Sequence, residues 1–177
     1  MTQKEYENWV LDKIMTPMRE NEIKDLFSFL GTVERISRGK SSSSDFQIKN
    51  KDMKDMKIEV TSVNLVSPYG VDFLTIDKIE DKIRHIIGKS DMTNATKKIG
   101  VIYFDIKIRV FKDFSLVDYS KICTENNLDC LVLMTDRASI NGESSREVYP
   151  NIVFFSEQSL FTDAEQKNII HKISNNF

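Results

Sequence analysis

Residues 41–62 read Ser-Ser-Ser-Ser-Asp-Phe-Gln-Ile-Lys-Asn-Lys-Asp-Met-Lys-Asp-Met-Lys-Ile-Glu-Val-Thr-Ser. Two stretches of alternating polar and apolar residues, one around Asp45 and one around Glu59, are joined by a polar Lys/Asp/Met turn, which is the pattern of two strands. Successive side chains of a strand face opposite ways, so Asp45 and Gln47 share one face while Phe46 and Ile48 share the other. The same rule sets Glu59 and Thr61 opposite Ile58 and Val60. Pairing the strands as a hairpin, with the apolar residues inward at one level, predicts that the two carboxylates converge at one end. Converging carboxylates of this kind bind a hard divalent cation such as Mg2+, and phosphodiester chemistry is the first reading.

Upstream of this stretch, helices are predicted over residues 4–15 and 17–30. Thr16 serves as N-cap of the second, Pro17 as its first residue and Gly31 as its stop. Glu20, Ile23, Phe27 and Leu30 fall on one face of that helix. Residues 32–37 read as a first strand, and Glu34 on it reads as surface. Downstream, Pro68 and Gly70 punctuate the chain, and Ile76, Ile79, Ile83 and Ile86 mark an amphipathic helix. Residues 98–110 read as a long strand, apolar on both faces near its start as a central strand should be. A helix over 115–126, a buried strand over 130–135 and a shorter strand over 151–155 follow. Thr162 caps a closing helix to about residue 173, with Glu165 completing a capping box. This order predicts an α/β fold in which a mixed sheet is flanked by helices.

At 177 residues the chain fits a single domain, 1–177, large enough to bury a core unaided. No apolar run approaches the roughly 20 residues of a membrane span, and residues 1–8 are too polar for a signal peptide, so a cytoplasmic protein is expected. Cys123 and Cys130 are the only cysteines and lack a zinc spacing, which makes them reduced core residues. The net charge of −2 gives no overall case for a nucleic-acid partner, but its distribution does. Residues 35–57 carry seven Lys/Arg against three Asp, and residues 74–112 carry nine against five acids, an excess of four positive charges in each block. The basic blocks bracket Asp45 and Glu59, as a polyanionic backbone would require.

Lys78, Lys82, His85 and Lys89 recur at helical spacing and form a basic stripe opposite the isoleucines. Such a stripe suits backbone phosphates or is simply the wet face of the helix. Nothing in the sequence orients His85 as a general base, and His171 reads as incidental. The chain has no glycine-rich phosphate loop, serine nucleophile elbow or metalloprotease helix. Asp136-Arg137 reads as a turn, and Tyr103, Phe104, Phe111, Phe154 and Phe155 as core rather than a base-stacking platform.

The element order, with Ser44-Asp45-Phe46 on one strand and Glu59-Val60-Thr61 on the next, resembles the PD-(D/E)XK nuclease superfamily over roughly residues 16–136. The resemblance implies a restriction-endonuclease-like fold and a Mg2+- or Mn2+-dependent endonuclease acting on nucleic acid, DNA by the family's habits. It implies that Asp45, Glu59 and the Val60 carbonyl hold the metal, with Gln47 and Thr61 hydrogen-bonding water or a phosphate oxygen. Glu20 would add a helical acid, and Lys40, Lys57, Lys78 and Lys82 would meet the nucleic acid. Many small nucleases of this fold pair up, so a homodimer is among the assemblies implied. Two positions depart from the family pattern: Ser44 replaces the usual proline, and Thr61 replaces the usual lysine. A hydroxyl holds a water but supplies no positive charge. Lys57 and Lys40 are the candidate substitutes, and the alternative reading is a catalytically inactive nuclease-fold module that binds nucleic acid or protein.

Overall fold

A computed structural model of the chain describes residues 17–36, 43–51, 55–63, 66–67, 70–71, 73–74, 76–104, 109–110, 118–135 and 152–175. Its centre is a six-stranded sheet of β1 (Thr32–Arg35), β2 (Phe46–Lys49), β3 (Met56–Val63), β4 (Lys97–Phe104), β5 (Cys130–Thr135) and β6 (Ile152–Phe155), whose order across the sheet repeats their order along the chain. The first three strands are an antiparallel meander. Strands β3, β4 and β5 run parallel, and β6 returns antiparallel at the far edge. The helices are α1 (Pro17–Phe27), α2 (Ile76–Ile87), α3 (Tyr119–Glu125) and α4 (Asp163–Asn175).

Parallel neighbours need crossover connections, and successive right-handed crossovers that advance in one direction lie on the same face. Accordingly α2 and α3, which link β3 to β4 and β4 to β5, share a face: Ile79, Ile83 and Ile86 join Tyr119 and Ile122 over Ile102, Leu131 and Leu133. Helices α1 and α4 cover the other face, where Ile23, Phe27, Ile169 and Ile173 meet Phe46, Ile58, Val60, Val101 and Val132. Residues 99–103 of β4 and 130–134 of β5 are buried on both sides, which explains their apolar runs. The coarse expectation of a mixed α/β sheet flanked by helices holds.

Local chemistry sets the element ends. A 3-10 turn, Ser28–Leu30, extends α1 to Gly31, whose φ of 152° and close approach to the Lys49 carbonyl leave no room for a Cβ. The capping box of α4 is reciprocal: the Glu165 N–H donates to Thr162 Oγ1 at 3.2 Å, and the Thr162 N–H donates to Glu165 Oε2 at 2.9 Å. Lys97 also reaches Glu165 Oε2 at 2.8 Å, tying this helix to the start of β4. Cys123 and Cys130 are buried and free, on opposite faces of the sheet.

Two elements differ from expectation among the described residues. The strand expected over 98–110 is Lys97–Phe104, and Arg109–Val110 instead pairs in parallel with Phe73–Leu74 outside the main sheet. The helix expected from 115 begins at Tyr119 because the Asp118 side chain accepts the Lys121 N–H at 3.0 Å and caps it there. The helix expected over 4–15, together with Thr16, Lys40, Phe111, Asp136 and Arg137, lies outside the described residues. Among the described residues no helix is long and apolar enough to cross a membrane.

Candidate functional site

The β2–β3 ladder pairs Phe46 with Ile58 and Gln47 with Lys57, and Asp45 stands just past its end, beside the Ile58–Val60 stretch that carries Glu59. Asp45 lies one residue before β2 but is already held by the sheet. Its N–H donates to the Ile58 carbonyl at 3.1 Å, and its own carbonyl accepts the Ile36 N–H at 2.9 Å. Phe46, Ile58 and Val60 are buried under α1 and α4, so alternation sends Asp45 and Glu59 to the α2 face. Asp45 Oδ2 accepts the Val60 N–H at 2.9 Å, taking the place of a ladder partner at the point where β2 ends. The N–H and C=O of a strand residue point toward the same neighbour, so the Val60 carbonyl faces the same edge.

The two acids are brought together at an electrostatic cost. Burial raises the Asp45 carboxyl above its ordinary value, against the Val60 N–H and the positive charges of Lys89 and Arg35. Glu59 is only 3 % exposed. Burial, and then repulsion from Asp45, push its carboxyl up to about 8, while Lys89 pulls the other way. Glu59 Oε2 is buried with no hydrogen-bond partner among the described residues.

The positive charge beside these acids comes from the end of α2. Lys89 Nζ lies 3.2 Å from Glu59 Oε1, with its side chain 15 % exposed. His85 Nε2 stands 3.8 Å from the same oxygen. Burial, with Lys89 and Lys82 nearby, lowers the His85 pKa and so favours the neutral imidazole. The basic stripe on α2 therefore ends at Glu59, with Lys82 and Lys78 half-buried farther along the helix.

Gly100 makes this approach possible. It pairs with Glu59 in the β3–β4 ladder, and a Cβ there would stand 2.9 Å from Ile86 Cδ1 and 3.2 Å from Leu128 Cδ2. A side chain at that position would press on Ile86 of α2 and on Leu128, which would have to move to admit it.

The other expected residues fall into three groups. Thr61 is buried on the same face as Glu59, two residues farther along β3. Gln47 and Lys57 are joined in a string across the strands. Lys57 Nζ donates to Gln47 Oε1 at 3.2 Å and pairs with Asp55 at 3.2 Å, and Gln47 Nε2 donates to Glu34 Oε2 at 3.3 Å. Glu34, read as surface, thus takes part in this string, and Lys49 also meets it at 2.7 Å. Glu20 belongs to α1, on the opposite face of the sheet from Glu59. It pairs with Lys24 at 2.7 Å and Arg35 at 2.8 Å, which hold its carboxyl below the ordinary value.

Two contributors escaped sequence reasoning. The helical spacing that linked Lys78, Lys82, His85 and Lys89 carried the signal for Lys89, but its contact with Glu59 depends on how α2 crosses the sheet. The other is Asp91, which accepts the Ser44 N–H at 2.8 Å and the Ser44 hydroxyl at 2.7 Å. Forty-seven residues separate that pair, and no local pattern announces it.

As an oxygen donor set, two adjacent carboxylates, one with an orphaned buried oxygen, and a backbone carbonyl at the same edge fit a hard divalent cation. Among the described residues no group of three His, Cys, Asp or Glu side chains is placed to hold a metal ion. A two-carboxylate site suits an ion such as Mg2+, which keeps several waters and does not require an all-protein cage. The sequence matches no protein-family model and no curated protein.

Proposed function

We propose that the protein is a Mg2+- or Mn2+-dependent nuclease of the PD-(D/E)XK kind, hydrolysing phosphodiester bonds in DNA. The observation that carries this reading is the pairing of Asp45 with the buried Glu59 where the β2–β3 ladder stops, beside Lys89. The fold adds support, since one helix, three antiparallel strands, a crossover helix and a parallel strand follow in the order that the resemblance implies.

A divalent ion bound by Asp45, Glu59 and the Val60 carbonyl would polarise a phosphate and lower the pKa of bound water. The chain's own groups divide the remaining work. Asp45 is fixed by the Val60 N–H, so one oxygen has a set direction. Burial and Asp45 disfavour the Glu59 carboxylate, so a bound cation would favour its ionised form. Lys89 supplies the charge that Thr61 lacks, delivered from α2 instead of from β3. Lys82 and Lys78 extend the positive surface along the helix for backbone phosphates.

The test is cleavage of single-stranded, duplex and branched DNA and of RNA with Mg2+ or Mn2+, by wild type, Asp45→Asn, Glu59→Gln and Lys89→Met. The expected outcome is metal-dependent cutting of DNA that falls at least about 100-fold in each acid variant, with a loss of similar order in Lys89→Met. Folded wild type that binds DNA and cuts nothing would establish the second reading, a non-catalytic module of the same fold, which Thr61 favours.

A further inference from the structure

The turn that follows α2 touches both acid-bearing segments of the candidate site. The Gly88 N–H donates to the Arg84 carbonyl at 3.0 Å, the Lys89 N–H to Ile86 at 3.3 Å and the Met92 N–H to Lys89 at 3.1 Å. The Met92 side chain is fully buried among the residues beneath α2 and α3, which anchors the turn in the core. From this fixed base Lys89 meets Glu59 on β3, and two residues later Asp91 reaches the entry to β2.

At that entry Asp91 divides its oxygens between two donors of one residue, Oδ1 on the Ser44 N–H and Oδ2 on the Ser44 hydroxyl. Ser44 is only 2 % exposed, so both of its groups need protein acceptors. A carboxylate is an acceptor-only group with two oxygens and satisfies both at once, through charge-assisted bonds. The next residue is Asp45. Its carboxylate must stand against the Val60 N–H although the β2–β3 ladder has already ended at Phe46. Its backbone is thus held by the sheet on one side and, through Ser44, by Asp91 on the other.

We propose that Asp91 is a positioning residue for the metal centre, acting through Ser44 to fix the direction of the Asp45 carboxylate. The inference rests on the nuclease reading above and extends it. Groups that orient a metal ligand without touching the metal change affinity by about 10- to 100-fold when removed.

The experiment is Mn2+ titration calorimetry on the full chain for wild type, Asp91→Ala, Ser44→Ala and the double variant. It is paired with thermal melts and with kcat and KM for DNA cleavage. Asp91→Ala is expected to weaken Mn2+ binding about 10- to 100-fold and to lower kcat, with KM for DNA unchanged because the α2 lysines are untouched. Ser44→Ala, which keeps the backbone bond, should lose less, and the double variant should match Asp91→Ala rather than add to it. A folded Asp91→Ala that binds Mn2+ as tightly as wild type would overturn the positioning role and leave the nuclease reading intact. If Asp91→Ala does not fold, unchanged Mn2+ affinity in Ser44→Ala overturns it instead. Wild type that neither binds Mn2+ nor cuts sinks the nuclease reading itself, and this inference with it.

Discussion

Glu59 is a glutamate placed where a charge is poorly tolerated, and its titration is the most direct readout of the site. Its carboxyl stands at about 8 in the folded chain, against 4.5 ordinarily, because burial and the neighbouring Asp45 both oppose ionisation. A raised folded pKa means that the native state holds its proton more tightly than the unfolded chain does. The stability this contributes is complete below about pH 4.5 and is lost as pH rises through about 8. At 1.36 kcal/mol per unit the loss is at most about 5 kcal/mol. Asp45 titrates in the same sense. Thermal melts of the metal-free protein should therefore fall in midpoint between pH 5 and pH 8, and Glu59→Gln should flatten most of that slope. Added Mg2+ should stabilise wild type more as pH rises. An unchanged slope in Glu59→Gln would show that the carboxyl is not strained in this way.

At the scale of elements, the site depends on how closely α2 lies on β3 and β4. Gly100 sits beneath Ile86, directly across from Glu59. Gly100→Val adds a branched side chain where even a Cβ is crowded, an overpacking worth about 1–3 kcal/mol of stability. Because Ile86 belongs to the last turn of α2, just before Lys89, metal affinity should fall together with the melting midpoint. Gly88→Ala is the contrasting variant: a Cβ there stands 3.1 Å from the Arg84 carbonyl, away from the sheet. It should leave Mn2+ affinity within about twofold of wild type, by the ordinary insensitivity of changes outside the packed core. Calorimetry on the two variants separates lifting of the helix from general destabilisation. Equal Mn2+ affinities in wild type and Gly100→Val would remove the helix approach from the account.

For the molecule as a whole, the question is how a chain of net charge −2 would hold a polyanion. The charge is segregated, and α2 carries Lys78 and Lys82 in line with the acids at Glu59. Each lysine that neutralises a phosphate contributes about 0.9 to the slope of log K against log salt on duplex DNA. Lys78→Gln with Lys82→Gln should reduce that slope by up to about 2 and weaken binding to all sequences alike. Fluorescence anisotropy across a salt series measures it, and an unaltered slope would show that the stripe is only a solvated face.

Much of this was legible from one-dimensional patterns, because these patterns are set by local geometry. The alternation around Phe46 and Ile58 assigned the faces of β2 and β3, since a strand has a period of two wherever it occurs. The isoleucine spacing found α2, and Thr162 with Glu165 found the start of α4, because amphipathicity and capping are completed within a few residues. What the sequence did not decide was which distant groups would meet. Crossover handedness sets α2 and α3 on one face, and the packing of α1 on the other set Glu20 across the sheet from Glu59, paired with Arg35. Lys89 meets Glu59 where Ile86 packs over Gly100, and Asp91 meets Ser44 from the turn that Met92 anchors in the core. The sequence by itself determined the strands, the helix faces and the candidate acids, all properties of neighbouring residues. The tertiary structure decided the burial that strains those acids, the lysine beside them and the carboxylate that holds Ser44. Each of these depends on contacts between segments far apart in the chain.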